Sequence, residues 1–179
     1  MKTKIVGIGY KARQGKNLLA RTIRENIQEA ELGVVVEIYS FATALKSFCR
    51  AIGWMKDKDP RILQLVGTDI MRSINENVWV DCLKYQIEEE SPDIALIADM
   101  RFPNEFQFCK ENGMAIKISR LNADGSQWVA DDRDPNHPSE IALDNEDNFD
   151  FEFKVRDGDR RTMYRVAKAA AQEALKGFY

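Results

Sequence analysis

Two short stretches hold the residues with most chemical potential. Residues 9–17 read GYKARQGKN at the end of the apolar run KTKIVGIG, and residues 95–106 read ALIADMRFPNEF. The first sets Gly15 and Lys16 as in a phosphate-binding P-loop, G-x-x-x-x-G-K-[ST], with Tyr10 at the first glycine and Asn17 at the hydroxyl position. Such a loop works because successive backbone N–H groups wrap an anion, the following helix adds its positive amino end, and one lysine reaches the outer phosphates. Lys11, Ala12, Arg13, Gly15, Lys16 and Asn17 are the candidates for nucleotide contacts. Tyr10 is tolerable there if its backbone lies at negative φ, where a Cβ is allowed. Asn17 can offer magnesium an amide oxygen, directly or through water. In the second stretch a buried strand delivers Asp99 to its end, where a carboxylate can hold magnesium through water or accept a proton, and Arg101 can fork onto a phosphate. The bland alternatives are a glycine turn with a solvated lysine, and an aspartate capping the helix that begins near Pro103 beside a surface arginine.

The elements that must position these residues follow from apolar spacing. Ile5, Val6 and Ile8 predict a strand ending at Gly9, and Leu19, Ile23 and Ile27 a helix from Gly15 to about residue 30. Val34 to Phe41 reads as a second strand, followed by a helix with Leu45, Phe48 and Ile52 inward. After the charged link MKDKDP, two helices are expected, one with Ile62, Val66, Ile70 and Ile74 on a stripe and one with Val78, Cys82, Leu83 and Ile87. PDIALIADM, MAIKIS and FEFKV supply three more strands, and RRTMYRVAKAAAQEAL closes the chain as a helix. Strands that are apolar throughout and alternate with helices predict an α/β protein with a parallel sheet covered on both faces, with ligands at the carboxyl ends of the strands. Residues 121–140, LNADGSQWVADDRDPNHPSE, form the one long irregular stretch, a length that points to a functional lid.

Composition narrows the partners. The chain has 179 residues, 44% apolar and 31% charged, enough for one domain with one sizeable core. A net charge of −3 gives no electrostatic grip on DNA or an anionic membrane, so a small substrate is expected and no nucleic acid. Cys49, Cys82 and Cys109 are odd in number and unpaired in spacing, which predicts reduced core thiols of a cytoplasmic protein. No run approaches the length of a membrane span.

Five pieces together resemble the bacteriophage deoxynucleoside monophosphate kinases, a branch of the P-loop nucleoside monophosphate kinases. They are KARQGK at the loop, SFATALK at 40–46, LQLVGTDIMR at 63–72 with Trp79 after it, DMRFPNE at 99–105 and HPSE at 137–140. The family's loop more often reads G-K-x-R-S-G-K-D, from which Tyr10, Gln14 and Asn17 depart. The resemblance implies a three-layer P-loop kinase core, its five-stranded parallel sheet in the order 2-3-1-4-5, as a single domain over 1–179. A monophosphate-binding helical part would span about 41–90 and a lid about 121–138. It implies transfer of the γ-phosphoryl group of ATP to a deoxynucleoside monophosphate, with Mg2+, in the cytoplasm, the host's if the protein is phage-encoded. Lys16 would span the β- and γ-phosphates, while Arg13, Arg72, Arg101, Arg120 and Arg133 are candidates for the acceptor phosphate and the transition-state charge. On the acceptor side stand Phe41, Lys46, Asp69, Trp79, Glu105, His137 and Glu140, with Trp79 able to stack on a base and Glu105 to orient Arg101. Their plainer roles are core aromatics, a solvated lysine, helix caps and an idle loop histidine. Analogy with related kinases also allows a homodimer through the helices after residue 60. Two other functions fit the same motifs: a kinase acting on a modified base in phage DNA, and a non-catalytic nucleotide-binding protein with a degenerate loop.

Overall fold

The computed structural model describes residues 3–30, 33–54, 57 and 59–178; part of the charged link, at 55, 56 and 58, lies outside the described residues. Five strands, β1 (Lys4–Gly9), β2 (Val36–Tyr39), β3 (Ile94–Met100), β4 (Gly113–Leu121) and β5 (Phe151–Arg156), form one sheet in the order β2-β3-β1-β4-β5. Every neighbouring pair is parallel, so all carboxyl ends share one edge. The helices are α1 (Lys16–Glu29), α2 (Ala42–Ala51), α3 (Pro60–Gln64), α4 (Met71–Ile74), α5 (Val78–Glu90), α6 (Pro103–Asn112), α7 (Pro138–Ile141) and α8 (Arg160–Leu175). No helix among the described residues is long and apolar enough to cross a membrane.

Alternation along the strands sends side chains to two cores. Val6 and Ile8 of β1 face one side with Leu19, Ile23 and Ile27 of α1 and the small face Ala167, Ala170, Ala171 and Ala174 of α8. Ile5 faces the other with Leu45, Trp79, Leu83, Phe106 and Cys109 from α2, α5 and α6. The helix after β1 therefore covers one face and the helix after β3 the other. That divergence between adjacent strands opens a crevice at their carboxyl ends, the place where such sheets bind ligands. Close approach of the layers needs glycine at Gly7, where a Cβ would lie 2.5 Å from the Cys109 Sγ.

Three expectations on the second face are corrected. The segment 61–74 is not one α-helix: a π-helical segment, Leu65–Ile70, separates α3 from α4. A π turn takes an extra residue, which rotates the residues beyond it by about 100° off the α-helical stripe. Val66 accordingly is buried while Ile70 and Ile74 are exposed. Likewise α2 buries Leu45 and Cys49 and leaves Phe48 and Ile52 exposed, because it packs through a single i, i+4 edge. Cys49 and Cys109 are buried, but Cys82 is exposed on α5, whose inner face is Trp79, Val80, Leu83 and Ile87.

Candidate active site

The loop between β1 and α1 curls because three of its residues take positive φ: Tyr10 at 97°, Arg13 at 55° and Gly15 at 96°. Tyr10 thus departs from the negative φ expected of it. The glycine at the close approach is Gly9, where a Cβ would meet Met100 at 2.5 Å, and the reversal falls one residue later. The Tyr10 N–H donates to the Met100 carbonyl at 3.2 Å, and its ring lies under the ammonium groups of Lys11 and Lys117 at 5.1 and 4.8 Å. These contacts offset part of the strain of a Cβ in this region.

Lys16 is buried, with its ammonium turned into the loop. It donates to the Tyr10 carbonyl at 2.8 Å and also to the Lys11 carbonyl. Burial holds its pKa well below the ordinary value, helped by the Arg101 charge and opposed by Asp99 and Glu140. Gln14, also buried, ties the loop outward: its Oε1 accepts the Arg120 N–H at 2.6 Å and its Nε2 donates to the Trp128 carbonyl at 3.0 Å. Asn17 is exposed on the first turn of α1 and opens onto the cavity.

From the end of β3, Asp99 reaches across to the start of α2. Its Oδ1 accepts the Phe41 N–H at 2.8 Å, and Oδ2 accepts the Ser40 hydroxyl at 2.5 Å and the Ala42 N–H at 3.0 Å. The helix it caps is therefore α2, not the one near Pro103. About one of its four acceptor positions is left over. Glu105, in the first turn of α6, accepts the Arg101 and Phe102 N–H groups at 2.7 and 3.1 Å, but its guanidinium partner is Arg72 rather than Arg101. Burial pushes the Glu105 carboxyl up to about 7, with the Arg72 charge pulling the other way. Arg72 is held on every side, by Glu105, by the Glu76 carbonyl at 3.0 Å, by Asn104 at 3.3 Å and by the Phe102 ring 4.0 Å beneath it. The guanidinium of Arg101 pairs with Glu140 of α7. Arg133 lies between Asp132 at 3.0 Å and Glu140 at 3.4 Å, and Arg13 bonds Asp132 at 2.6 Å.

These groups converge on one cavity of about 410 Å3. Its lining includes Arg13, Gly15, Lys16, Asn17, Arg101 and Arg133. It also includes the apolar side chains Phe41, Leu45, Leu63 and Trp79, together with Lys46, Gln64, Thr68 and Arg72. The Trp79 indole N–H donates to the Gly67 carbonyl of the π-helical segment at 2.9 Å. Among solved structures the chain is similar to a shikimate kinase from Acinetobacter baumannii, with a TM-score of 0.53, 14% identity, and 95% of this chain and 92% of that one covered. It is similar also to a putative kinase from Chloroflexus aurantiacus, with a TM-score of 0.53, 10% identity, and 97% and 99% covered. The fold is that of the P-loop kinases. In sequence the chain is 42% identical over 88 residues to a deoxynucleoside-5′-monophosphate kinase of Escherichia phage T5. That match covers 46% of this chain and 34% of the relative, so it takes in about a third of that protein's length. No known family profile matches the chain.

Several P-loop kinase candidates stand away from the cavity. Arg120 pairs with Asp157 at 2.7 Å and lies over the Trp128 ring, and Lys11 pairs with Asp144 at 2.7 Å. Ala12, Asp69, His137 and Glu140 do not line it either. His137 caps α7, its Nδ1 accepting the Ser139 N–H at 3.1 Å, while Nε2 sits 3.7 Å from Asp69. The sequence reading missed Gln14 as a brace, Asp132 as the bridge between two arginines, and Gln64 and Thr68 as polar lining. Gln64 and Thr68, spaced i, i+4 in an otherwise apolar segment, carried a signal that could have found them.

Proposed function

We propose that the protein is a deoxynucleoside monophosphate kinase that transfers the γ-phosphoryl group of ATP to a 5′-monophosphate, giving ADP and the diphosphate. The observation that carries this reading is the mixed lining of one cavity: the P-loop residues Arg13, Gly15 and Lys16 share it with Arg101 and Arg133 and with the apolar side chains Phe41, Leu45 and Trp79, surfaces complementary to phosphates and to a flat base. The likeness to the phage T5 enzyme supports the same substrate class.

The chain's own groups then divide the task. The P-loop amides and Lys16 bind the ATP phosphates, and Arg13, Arg101 and Arg133 stabilise the charge that moves onto the transferred group. Phe41, Lys46 and Trp79 hold the acceptor nucleotide, with Arg72 fixed beside it by Glu105. The lid about 121–138 brings Arg133 to the cavity and excludes water. Among the described residues no three His, Cys, Asp or Glu cluster as a metal cage. Magnesium, which takes oxygen ligands and keeps several waters, would be held by the Asn17 amide and Asp99. When bound, magnesium neutralises phosphate charge. An assay of ADP release with ATP, magnesium and each of dAMP, dCMP, dGMP and dTMP tests the reading. Acceptor-dependent turnover is expected with at least one of them; silence with all four, in protein that still binds ATP, would sink it.

A further inference from the structure

Glu140 sits behind the cavity wall with both carboxylate oxygens engaged. Oε2 accepts the Ala12 N–H of the P-loop at 2.9 Å. Oε1 accepts from the Arg101 guanidinium and, at 3.4 Å, from Arg133 Nη1. The residue is 6% exposed and does not line the cavity, whereas Arg101 and Arg133 both do. One carboxylate thus joins a loop amide to two guanidiniums that come from separate segments of the chain.

We propose that Glu140 is a positioning residue of the phosphotransfer site, holding the P-loop in register and aiming Arg101 and Arg133 at the transferred group. It rests on the kinase reading above. Arg101, Arg133 and Lys16 are like charges around one cavity, and their repulsion would splay the two guanidiniums if no anion stood between them. A buried carboxylate with two fork-shaped partners fixes direction as well as charge. Asp132 repeats the device one step outward, bridging Arg133 to Arg13. Freed from Glu140, the arginines would contact the phosphates of bound ATP more strongly and the reacting geometry less well. Binding gained in the ground state at the expense of the transition state tightens affinity and slows turnover.

The test is Glu140→Gln, which keeps an acceptor for Ala12 while removing the charge. Turnover with the best acceptor is expected to fall ~100-fold, the scale of loss for a small misplacement of reacting groups. The Kd for a fluorescent ATP analogue is expected to tighten several-fold, and the Tm to stay near wild type. Glu140→Asp, which keeps the charge with a shorter reach, is expected to bind like wild type and to turn over at an intermediate rate. Unchanged kcat and Kd in Glu140→Gln would overturn the proposal. So would a parallel loss of Tm, affinity and turnover in both variants, which passive packing predicts. If wild type phosphorylates no acceptor, the kinase reading fails by itself, and the titration still decides on Glu140: tighter binding in Glu140→Gln supports it, equal or weaker binding overturns it.

Discussion

Lys16 combines burial, a depressed pKa and two bonds to the loop's own carbonyls, so its ammonium is held inside the ring of amides rather than in solvent. Lys16→Ala is expected to abolish phosphoryl transfer with a circular dichroism spectrum like wild type; wild-type turnover would remove the P-loop reading. Tyr10 tests the loop's backbone. At a φ of 97° alanine keeps the Cβ penalty and glycine does not, while neither keeps the ring contacts, so Tyr10→Ala is expected to be about 1 kcal/mol less stable than Tyr10→Gly in urea unfolding. Equal midpoints would count against the positive φ. Glu105 supplies a pH dependence. Its folded carboxyl, at about 7 against 4.5 for the free group, binds its proton more tightly than in the unfolded chain. The native state therefore loses stability as pH rises through 7, and the contribution is fully present below 4.5. Glu105→Gln is expected to flatten the unfolding free energy between about pH 5 and about pH 8. A profile as steep as wild type would assign the titration to another group.

At the scale of elements, the site depends on how closely α6 lies on β1. Gly7 makes that approach possible, and α6 carries Glu105, which anchors the Arg101 and Phe102 amides and the Arg72 guanidinium. Gly7→Ala would push against Cys109 in a dense core and is expected to cost about 1–3 kcal/mol. Because the strain displaces α6, turnover at low substrate should fall as well, beyond what the small loss of folded protein explains. A variant destabilised but with full specific activity would uncouple helix position from the site. The π-helical segment is the second such device, since it turns the Gly67 carbonyl to the Trp79 indole and leaves Gln64 and Thr68 on the cavity side.

At the scale of the whole molecule, the chain is mildly acidic while its cavity gathers cations from five separate segments of the chain. Acidic residues of the stretch after β4 pair with three of them, Asp132 with Arg13 and Arg133 and Glu140 with Arg101, and Asp144 pairs with Lys11 of the loop outside the cavity. A polyanionic ligand bound there would join these elements, and a ligand that binds only the native state stabilises it by about 2.7 kcal/mol at a hundred times its Kd. ATP is therefore expected to raise the Tm of wild type and to leave that of Lys16→Ala unmoved. A shift equal in both would mean that nucleotide binds elsewhere.

Period and composition were enough for the parallel sheet, because β1 and β3 are buried and largely apolar on both faces, as interior strands are. The strand order came from the motifs' resemblance to a known family and agrees with the structure. The loop at 9–17 and the strand end at Asp99 were legible too, since each is a local signal of residue type and position. Partnership across the chain needed the tertiary structure. Glu105 meets the guanidinium of Arg72 and only the backbone N–H of Arg101, Asp99 caps α2 rather than α6, and Glu140 meets Ala12, Arg101 and Arg133. Ile70 and Ile74 likewise turned outward at a π turn that no apolar spacing announces. Periodicity reports which face of an element is buried, a property of neighbours in sequence. Which carboxylate meets which guanidinium depends on where topology brings distant segments together, and at these positions several pairings satisfy the same local rules.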